Sequence, residues 1–394
     1  MEGCRTEDDK INPPFALQPP PLLPLHPMAK RTSTRSILYV LYFLFVVAIL
    51  LEVFLRIYNP FNFRIKGENI VLETNKTYRI DNSTNPRLDK SIVHTVNSLG
   101  FRGPDFPANR DSVMSIMTVG GSTTECAYIN DGKTWTDVVY RQLRASIPSL
   151  WMNNAGLEGH STYGHIVLMK DLIQKIRPDV VMFLVGVNDM RRGDLTASDK
   201  SNMKDQYKNV FTFISQNSEL CNTIINLLRA REAGKRNLNG RYVDFSAKRE
   251  DTLVCDEKFI AQYLAEDDAY LTAYRQRVQT LVDLCVQQQM LPVLITQPTI
   301  MGAGRDSATG VSLENFKVTE KVNGKLFWRS LEKYNDVVRS VAAQNGIPLI
   351  DLANVMPKSS LYFYDLVHFT NEGCEEVGRI LSEELLDRLV NGEK

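Results

Sequence analysis

Six consecutive apolar residues, Val180-Val181-Met182-Phe183-Leu184-Val185, lie between Arg177-Pro178-Asp179 and Gly186, and they constrain the fold more than any other stretch. Alternate side chains of a strand point to opposite faces, so this strand is apolar on both and belongs inside a parallel sheet with helices on each side. The surrounding signals alternate as such a sheet requires. Met114-Ser115-Ile116-Met117-Thr118 reads as a first strand, Trp151-Met152-Asn153-Asn154-Ala155 as a second, Pro292-Val293-Leu294-Ile295-Thr296 as a fourth and Ile347-Pro348-Leu349-Ile350-Asp351 as a fifth. Between them run helical patterns through Trp135, Val138, Val139 and Leu143, through residues 163–175, through Tyr270 to Val286, and through residues 331–343, with a last one from Asn371 carrying Val377, Leu381 and Leu385. The expected fold class is α/β, a three-layer αβα sandwich with a parallel sheet of about five strands. In such sheets ligands bind beyond the carboxyl ends of the strands.

The N-terminal part is different. Residues 1–36 are proline-rich and aperiodic, which predicts a disordered tail. Residues 37–55 are almost continuously apolar, and at about 1.5 Å per residue a helix there reaches roughly 28 Å, enough to span a bilayer core. Glu52, inside the run, is one turn from Arg56, so the pair suits the membrane interface. A cleaved signal peptide is the rival, but no small-x-small site follows the run. The expectation is therefore a transmembrane signal anchor over 37–57. Lys30, Arg31 and Arg35 before the span are nearly balanced by Arg56, Arg64 and Lys66 after it; a short tail with one large following domain favours that domain outside the cytoplasm. Residues 58–110 read as a linker and small strand-rich cap, 111–394 as the main domain, and 191–264 as a charged helical and loop insertion within it, either a lid or a solvated structural element. Asn75-Lys-Thr and Asn82-Ser-Thr are glycosylation acceptors by pattern.

Lys plus Arg, 46, equals Asp plus Glu, 46, so no basic field calls for nucleic acid. The six cysteines show no zinc-like spacing; Cys221 with Cys255 is the one couple considered for a bridge, and Cys126, Cys285 and Cys374 read as small core residues.

Four clusters fall at expected strand ends. Val119-Gly120-Gly121-Ser122-Thr123-Thr124-Glu125 follows the first strand. The glycines allow the torsions of a tight turn, and a helix starting there aims N–H groups at an anion beside Ser122. Taken alone, the heptapeptide also reads as an ordinary turn with Ser122 as N-cap. After the second strand comes Asn154-Ala155-Gly156-Leu157-Glu158-Gly159-His160-Ser161-Thr162, after the third Gly186-Val187-Asn188-Asp189, and before the last helix Tyr364-Asp365-Leu366-Val367-His368. A serine hydroxyl needs a base to accept its proton, an imidazole can take and return one, and an aspartate three residues before a histidine can hold the ring.

This ordered set resembles the SGNH, or GDSL-type, hydrolase superfamily over about residues 114–389, and its membrane-anchored members in particular. The first block departs from the family pattern, with Gly-Gly-Ser-Thr for Gly-Asp-Ser, a variant found among membrane-anchored bacterial members, as is the Gly100-Phe101-Arg102-Gly103 turn. The resemblance implies a flavodoxin-like sandwich, Ser122 as nucleophile, His368 as base and Asp365 as its orienting acid. It also implies an oxyanion hole from the Ser122 N–H, the Gly159 N–H and the Asn188 amide, with no cofactor and no metal. Gly159 suits a backbone N–H that must approach substrate with no side chain in the way, and Asp189 is assigned to holding the turn after Asn188. His160 reads as a packing or surface histidine rather than a substrate contact, and His94 and His165 as structural. Cys126 is expected to pack beneath the site and Glu125 to favour the helix N-terminus through the dipole. The implied activity is cleavage of an acyl ester, an O-acetyl glycan or a lipid, through an acyl-enzyme intermediate. An O-acyltransferase on the same residues and a non-catalytic membrane-anchored binding protein are the other readings.

Overall fold

The computed structural model describes residues 34–61, 65–66, 69–191, 217–235, 242–247 and 252–390; the proline-rich tail and parts of the 191–264 insertion lie outside the described residues. The chain divides into two compact units, residues 1–51 and 52–394. Thr34–Ile57 is one helix, and among the described residues its segment Arg35–Ile57 alone is long and apolar enough to cross a bilayer. Near its end Glu52 accepts from Arg56 Nε at 2.7 Å and also from Ser218 Oγ at 2.7 Å and Leu220 N at 2.9 Å. Glu52 thereby caps the inserted helix Glu219–Lys235, whose first N–H groups lack intrahelical partners.

Nine strands are present among the described residues: β1 (Ile65–Lys66), β2 (Asn69–Ile70), β3 (Lys76–Asp81), β4 (Ser91–Val96), β5 (Met114–Gly120), β6 (Leu150–Asn154), β7 (Val180–Leu184), β8 (Leu291–Ile295) and β9 (Leu349–Ile350). The first four form two antiparallel pairs. The last five make the parallel sheet, in the order β6-β5-β7-β8-β9. β7 reads as the sequence demands: Met182 packs into one core with Trp135, Val377 and Leu381, and Phe183 into the opposite core with Leu168, Tyr274, Val278 and Tyr334. Helices Trp135–Ser146 and Asn371–Val390 cover the first face, and Thr162–Leu168, Asp268–Val286 and Gly324–Asn345 the second.

β5 is followed by β6 on one side and β7 on the other, so the chain reverses direction across the sheet between β5 and β7. That reversal opens a crevice at their carboxyl ends, the usual ligand position in such sheets. Ser122 lies just past the end of β5 and Asn188 just past the end of β7.

Several expectations change. β9 covers two residues rather than five, because Pro348 has no N–H for the ladder and β9 pairs only through Leu349 and Ile350. Cys221 and Cys255 are both free thiols, one in the helix Glu219–Lys235 and the other ahead of the helix Glu257–Ala265. Asn82 is a poor glycosylation acceptor in this fold: its side chain is buried and donates to the Asp89 carbonyl at 3.2 Å. Asn75 is exposed, in a left-handed turn with φ 52°.

Candidate active site

β5 ends at Gly120, and one helical turn, Ser122–Glu125, follows, with Gly121 as its N-cap rather than Ser122. This turn is too short to act as a helix dipole; what it offers an anion is the N–H of its first residue. The two glycines are required for space rather than for torsion. Gly121 has φ −85°, which any residue adopts, but a Cβ there would collide with the Asn188 amide nitrogen, and one at Gly120 would meet Thr124 Oγ1 and the Leu184 carbonyl. Cys126 closes the turn at φ 51° and its thiol donates to the Thr123 carbonyl at 3.3 Å, lining a small cavity with Ser122.

The expected trio is brought together. His368 Nε2 lies 2.8 Å from Ser122 Oγ, and His368 Nδ1 lies 2.6 Å from Asp365 Oδ2. The other carboxylate oxygen of Asp365 accepts the backbone N–H of Val367 at 2.9 Å and of His368 at 2.8 Å, so the 365–368 turn is folded around the acid. The loop after β8 pins this turn: Thr299 Oγ1 and Ile300 N both donate to the Leu366 carbonyl, at 2.7 and 3.1 Å. Tyr364 stacks on the imidazole with ring centroids 5.5 Å apart. Its carbonyl accepts Val243 N at 3.0 Å, which ties part of the insertion to the back of the histidine.

Charge follows burial and pairing. Burial opposes ionisation of Asp365, yet the adjacent imidazole and the two N–H donors hold its carboxyl below the usual range. Burial also opposes protonation of His368, but the charge and bond of Asp365, and then the charge of Glu158, outweigh it and raise the imidazole above its ordinary value. The ring is thus a stronger base than a free imidazole and is aimed at the hydroxyl.

Of the expected anion-binding groups, the Asn188 amide packs against the turn that carries Ser122. Asn188 Nδ2 donates to the His160 carbonyl at 2.9 Å, and the Gly121 contact places the same amide next to the residue preceding Ser122. Gly159 has φ +75° with open space where a Cβ would point, so its left-handed backbone is what calls for glycine there. Asp189 does hold the turn, and over a longer range than expected. Its buried carboxylate accepts Thr162 N at 3.1 Å, Thr162 Oγ1 at 2.5 Å and Arg277 Nη2 at 3.2 Å, joining the ends of β7 and the Gly159 loop.

Residues 118–375 match the model of the GDSL-like lipase/acylhydrolase family. The chain belongs to that family. Solved structures similar to this GDSL-type hydrolase include LAE5, an alpha/beta hydrolase enzyme from the metagenome of Lake Arreo, Spain, at 15% identity and TM-score 0.38, covering 71% of this chain and 95% of that one. Others are the acetylxylan esterase Axe2 from Geobacillus stearothermophilus, at 14% identity and TM-score 0.38 with coverage of 71% and 95%, and the acetyl xylan esterase AlAXEase, at 15% and 0.40 with coverage of 68% and 98%. No curated protein matches the chain.

Three residues of this GDSL-type site carry more than their sequence context suggests. Glu125 does not serve the helix dipole; it is buried, and its carboxylate accepts the Glu158 N–H, tying the serine turn to the loop ahead of Gly159. Arg102, in the Gly-Phe-Arg-Gly turn, donates to the carbonyls of Glu125, Cys126 and Ile129 at 2.7–2.9 Å and to Asp131 Oδ1 at 2.8 Å. Glu158 had no assigned role, because no motif marks it; only the fold sets its charge near His368. His160 and His165 are buried and line a small cavity with Gly121 and Asn188, and His94 meets Tyr78 edge to face.

Proposed function

We propose that this protein is a membrane-anchored serine esterase acting on short acyl esters. The observation that carries the reading is the relay from Asp365 through His368 to Ser122, with contacts of 2.6 and 2.8 Å. Ser122 Oγ attacks the ester carbonyl carbon while His368 Nε2 takes its proton, and the carbonyl oxygen becomes an oxyanion facing the N–H groups of Ser122 and Gly159 and the Asn188 amide. Collapse of this intermediate expels the alcohol, which receives the proton from His368, and leaves the acyl group on Ser122. Water then attacks the acyl carbon with His368 again as base, releasing the acid and restoring the serine. Asp365 keeps Nδ1 protonated, so Nε2 presents its lone pair, and stabilises the imidazolium formed in each half-reaction.

The space at the serine favours a short acyl group. The two cavities touching this centre, one lined by Ser122, Tyr128 and His368 and the other by Gly121, His160 and Asn188, each measure only about 10 Å³, close to the room for one water. Neither space admits a fatty chain, and acetyl is the acyl group that asks for the least room beyond them. The helix Thr34–Ile57 supports anchoring in a bilayer, with residues 58–394 outside the cytoplasm. A fluorophosphonate probe should label the wild type, fail on Ser122→Ala and label His368→Ala weakly. In a p-nitrophenyl ester series, turnover should peak at acetate. Absence of labelling overturns the enzyme reading; labelling with no hydrolysis of any ester turns it toward acyl transfer.

A further inference from the structure

The helix Glu219–Lys235, in the insertion between β7 and β8, is inside out. Its polar residues Asn222, Thr223 and Asn226 are only 5–6% exposed, whereas Ile224, Leu227 and Leu228 are 49%, 46% and 61% exposed. The i, i+3, i+4 spacing puts these three apolar side chains on one face. Among the described residues beyond the span, no other helix exposes three large apolar residues together. A helix in water buries its apolar stripe and turns its polar side outward, so the reverse pattern belongs to a helix whose outer face meets something other than water.

Resting on the membrane-anchor reading above, we infer that this face lies in the lipid surface and is a second membrane contact of the catalytic unit. What points to lipid is where the helix starts. Its first turn is held by the last turns of the helix Thr34–Ile57, and Glu52 and Arg56 belong to the same compact unit as the inserted helix. Glu52 accepts from Ser218 Oγ at 2.7 Å, Leu220 N at 2.9 Å and Glu219 N at 3.1 Å, and Arg56 donates to the Asn217 carbonyl. The charged pair and the exposed Tyr58 that follows mark the level at which the span leaves the hydrocarbon. Ile224 lies about 8 Å of helix rise beyond Glu219, within reach of an interfacial layer roughly 5–8 Å deep. An interfacial helix needs no more than its own apolar face to seat in that layer. A second copy of the chain is a poorer occupant, because three side chains form a patch well short of the about 800 Å² per partner of a stable interface. The insertion that carries this helix also reaches the Tyr364 carbonyl behind His368 through Val243 N, so the seated helix and the catalytic turn belong to one connected segment of structure.

The test reconstitutes the full-length protein in vesicles of phosphatidylcholine and phosphatidylglycerol doped with a lipid whose acyl chain carries a photoactivatable diazirine. The carbene it releases inserts into side chains that touch lipid, and mass spectrometry locates the adducts. In the wild type, peptides from residues 37–57 and 219–228 should both be labelled, and those from the helix Asn371–Val390 should not. The double variant Ile224→Asp, Leu228→Asp should lose label at 219–228 by about tenfold or more and keep it at 37–57, since a carboxylate is costly to place in lipid. Unchanged fluorophosphonate labelling of Ser122 reports that the variant has folded; the wild-type pattern decides the matter without it. Label on 37–57 alone overturns the second contact and leaves the anchor standing, whether water or a second copy covers the face. Label on 219–228 alone strikes the anchor and keeps the contact. No label on either removes both.

Discussion

Asp189→Asn should lower stability and rate together, from a site where substrate is not touched. The wild-type carboxylate is 1% exposed, its partner Arg277 7%, and the pair lies at 3.2 Å. Arg277 also donates to Thr162 Oγ1 at 2.8 Å and to the Tyr163 hydroxyl at 2.9 Å, with its guanidinium 3.9 Å from the Tyr163 ring centroid. An amide has the same shape but turns one acceptor oxygen into a donor, which must then face either the N–H of Thr162 or the hydroxyl and guanidinium, all of which donate. It also leaves a buried guanidinium without its counter-charge. Breaking a pair of this kind costs about 3–5 kcal/mol, a large part of the roughly 5–15 kcal/mol of a typical domain. A Tm drop on the order of 10 °C follows. Because Asp189 ties the residue after Asn188 to the loop after Gly159, both expected oxyanion donors should shift, with a loss approaching the 10² to 10³ (an order-of-magnitude range) seen for removing one donor. Urea unfolding followed by tryptophan fluorescence measures the first effect, and kcat on p-nitrophenyl acetate the second. Adding Arg277→Met should restore part of the stability and none of the rate. A single variant within about 1 kcal/mol of wild type, with kcat within about twofold, would refute the coupling.

Asn188→Ala should lower kcat by about 10² to 10³ with little change in KM, since its amide acts on charge that develops only in the transition state. In the pH profile, protonated His368 cannot accept the serine proton, so activity falls as pH drops through the folded pKa; because that pKa is raised, the acid limb of kcat/KM should lie above the roughly 6.5 of a free imidazole. Glu158→Gln removes one of the charges that raise it and should move the limb to lower pH, which a profile of p-nitrophenyl acetate hydrolysis would reveal. Arg102→Met leaves three carbonyls without their charged donor and should cost about 3–5 kcal/mol in urea unfolding, together with a fall in kcat as the turn after Ser122 loosens.

Legibility in the sequence followed the range of the interactions. β7 was visible because six apolar residues in a row have one physical solution, and the five-strand sheet followed from repeated alternation of such runs with helical periods. Asp365 and His368 were visible because the two members are three residues apart and one turn joins them. β3 was missed: Lys-Thr-Tyr-Arg-Ile-Asp carries only two apolar residues, Tyr78 and Ile80, and their partners on β4, His94 and Ile92, lie 16 and 12 positions away. The five-residue π-helical segment Met169–Ile173 was likewise hidden, since its apolar residues also satisfy an ordinary helical stripe.

The reasons for the glycines were the least legible part, and they show why. From sequence, Gly120 and Gly121 look like torsional necessities, yet φ at Gly121 is ordinary and the constraint is the Asn188 amide lying where a Cβ would be. Gly159 looks like a gap left for substrate, yet the space there is open and the constraint is its left-handed φ. A backbone torsion and a close approach leave the same letter in the sequence, and only the position of a residue sixty-odd places along the chain tells them apart. The two causes respond differently to substitution. Alanine at 121 must push the Asn188 amide away from the residue before the nucleophile, whereas alanine at 159 meets no neighbour and strains only its own backbone.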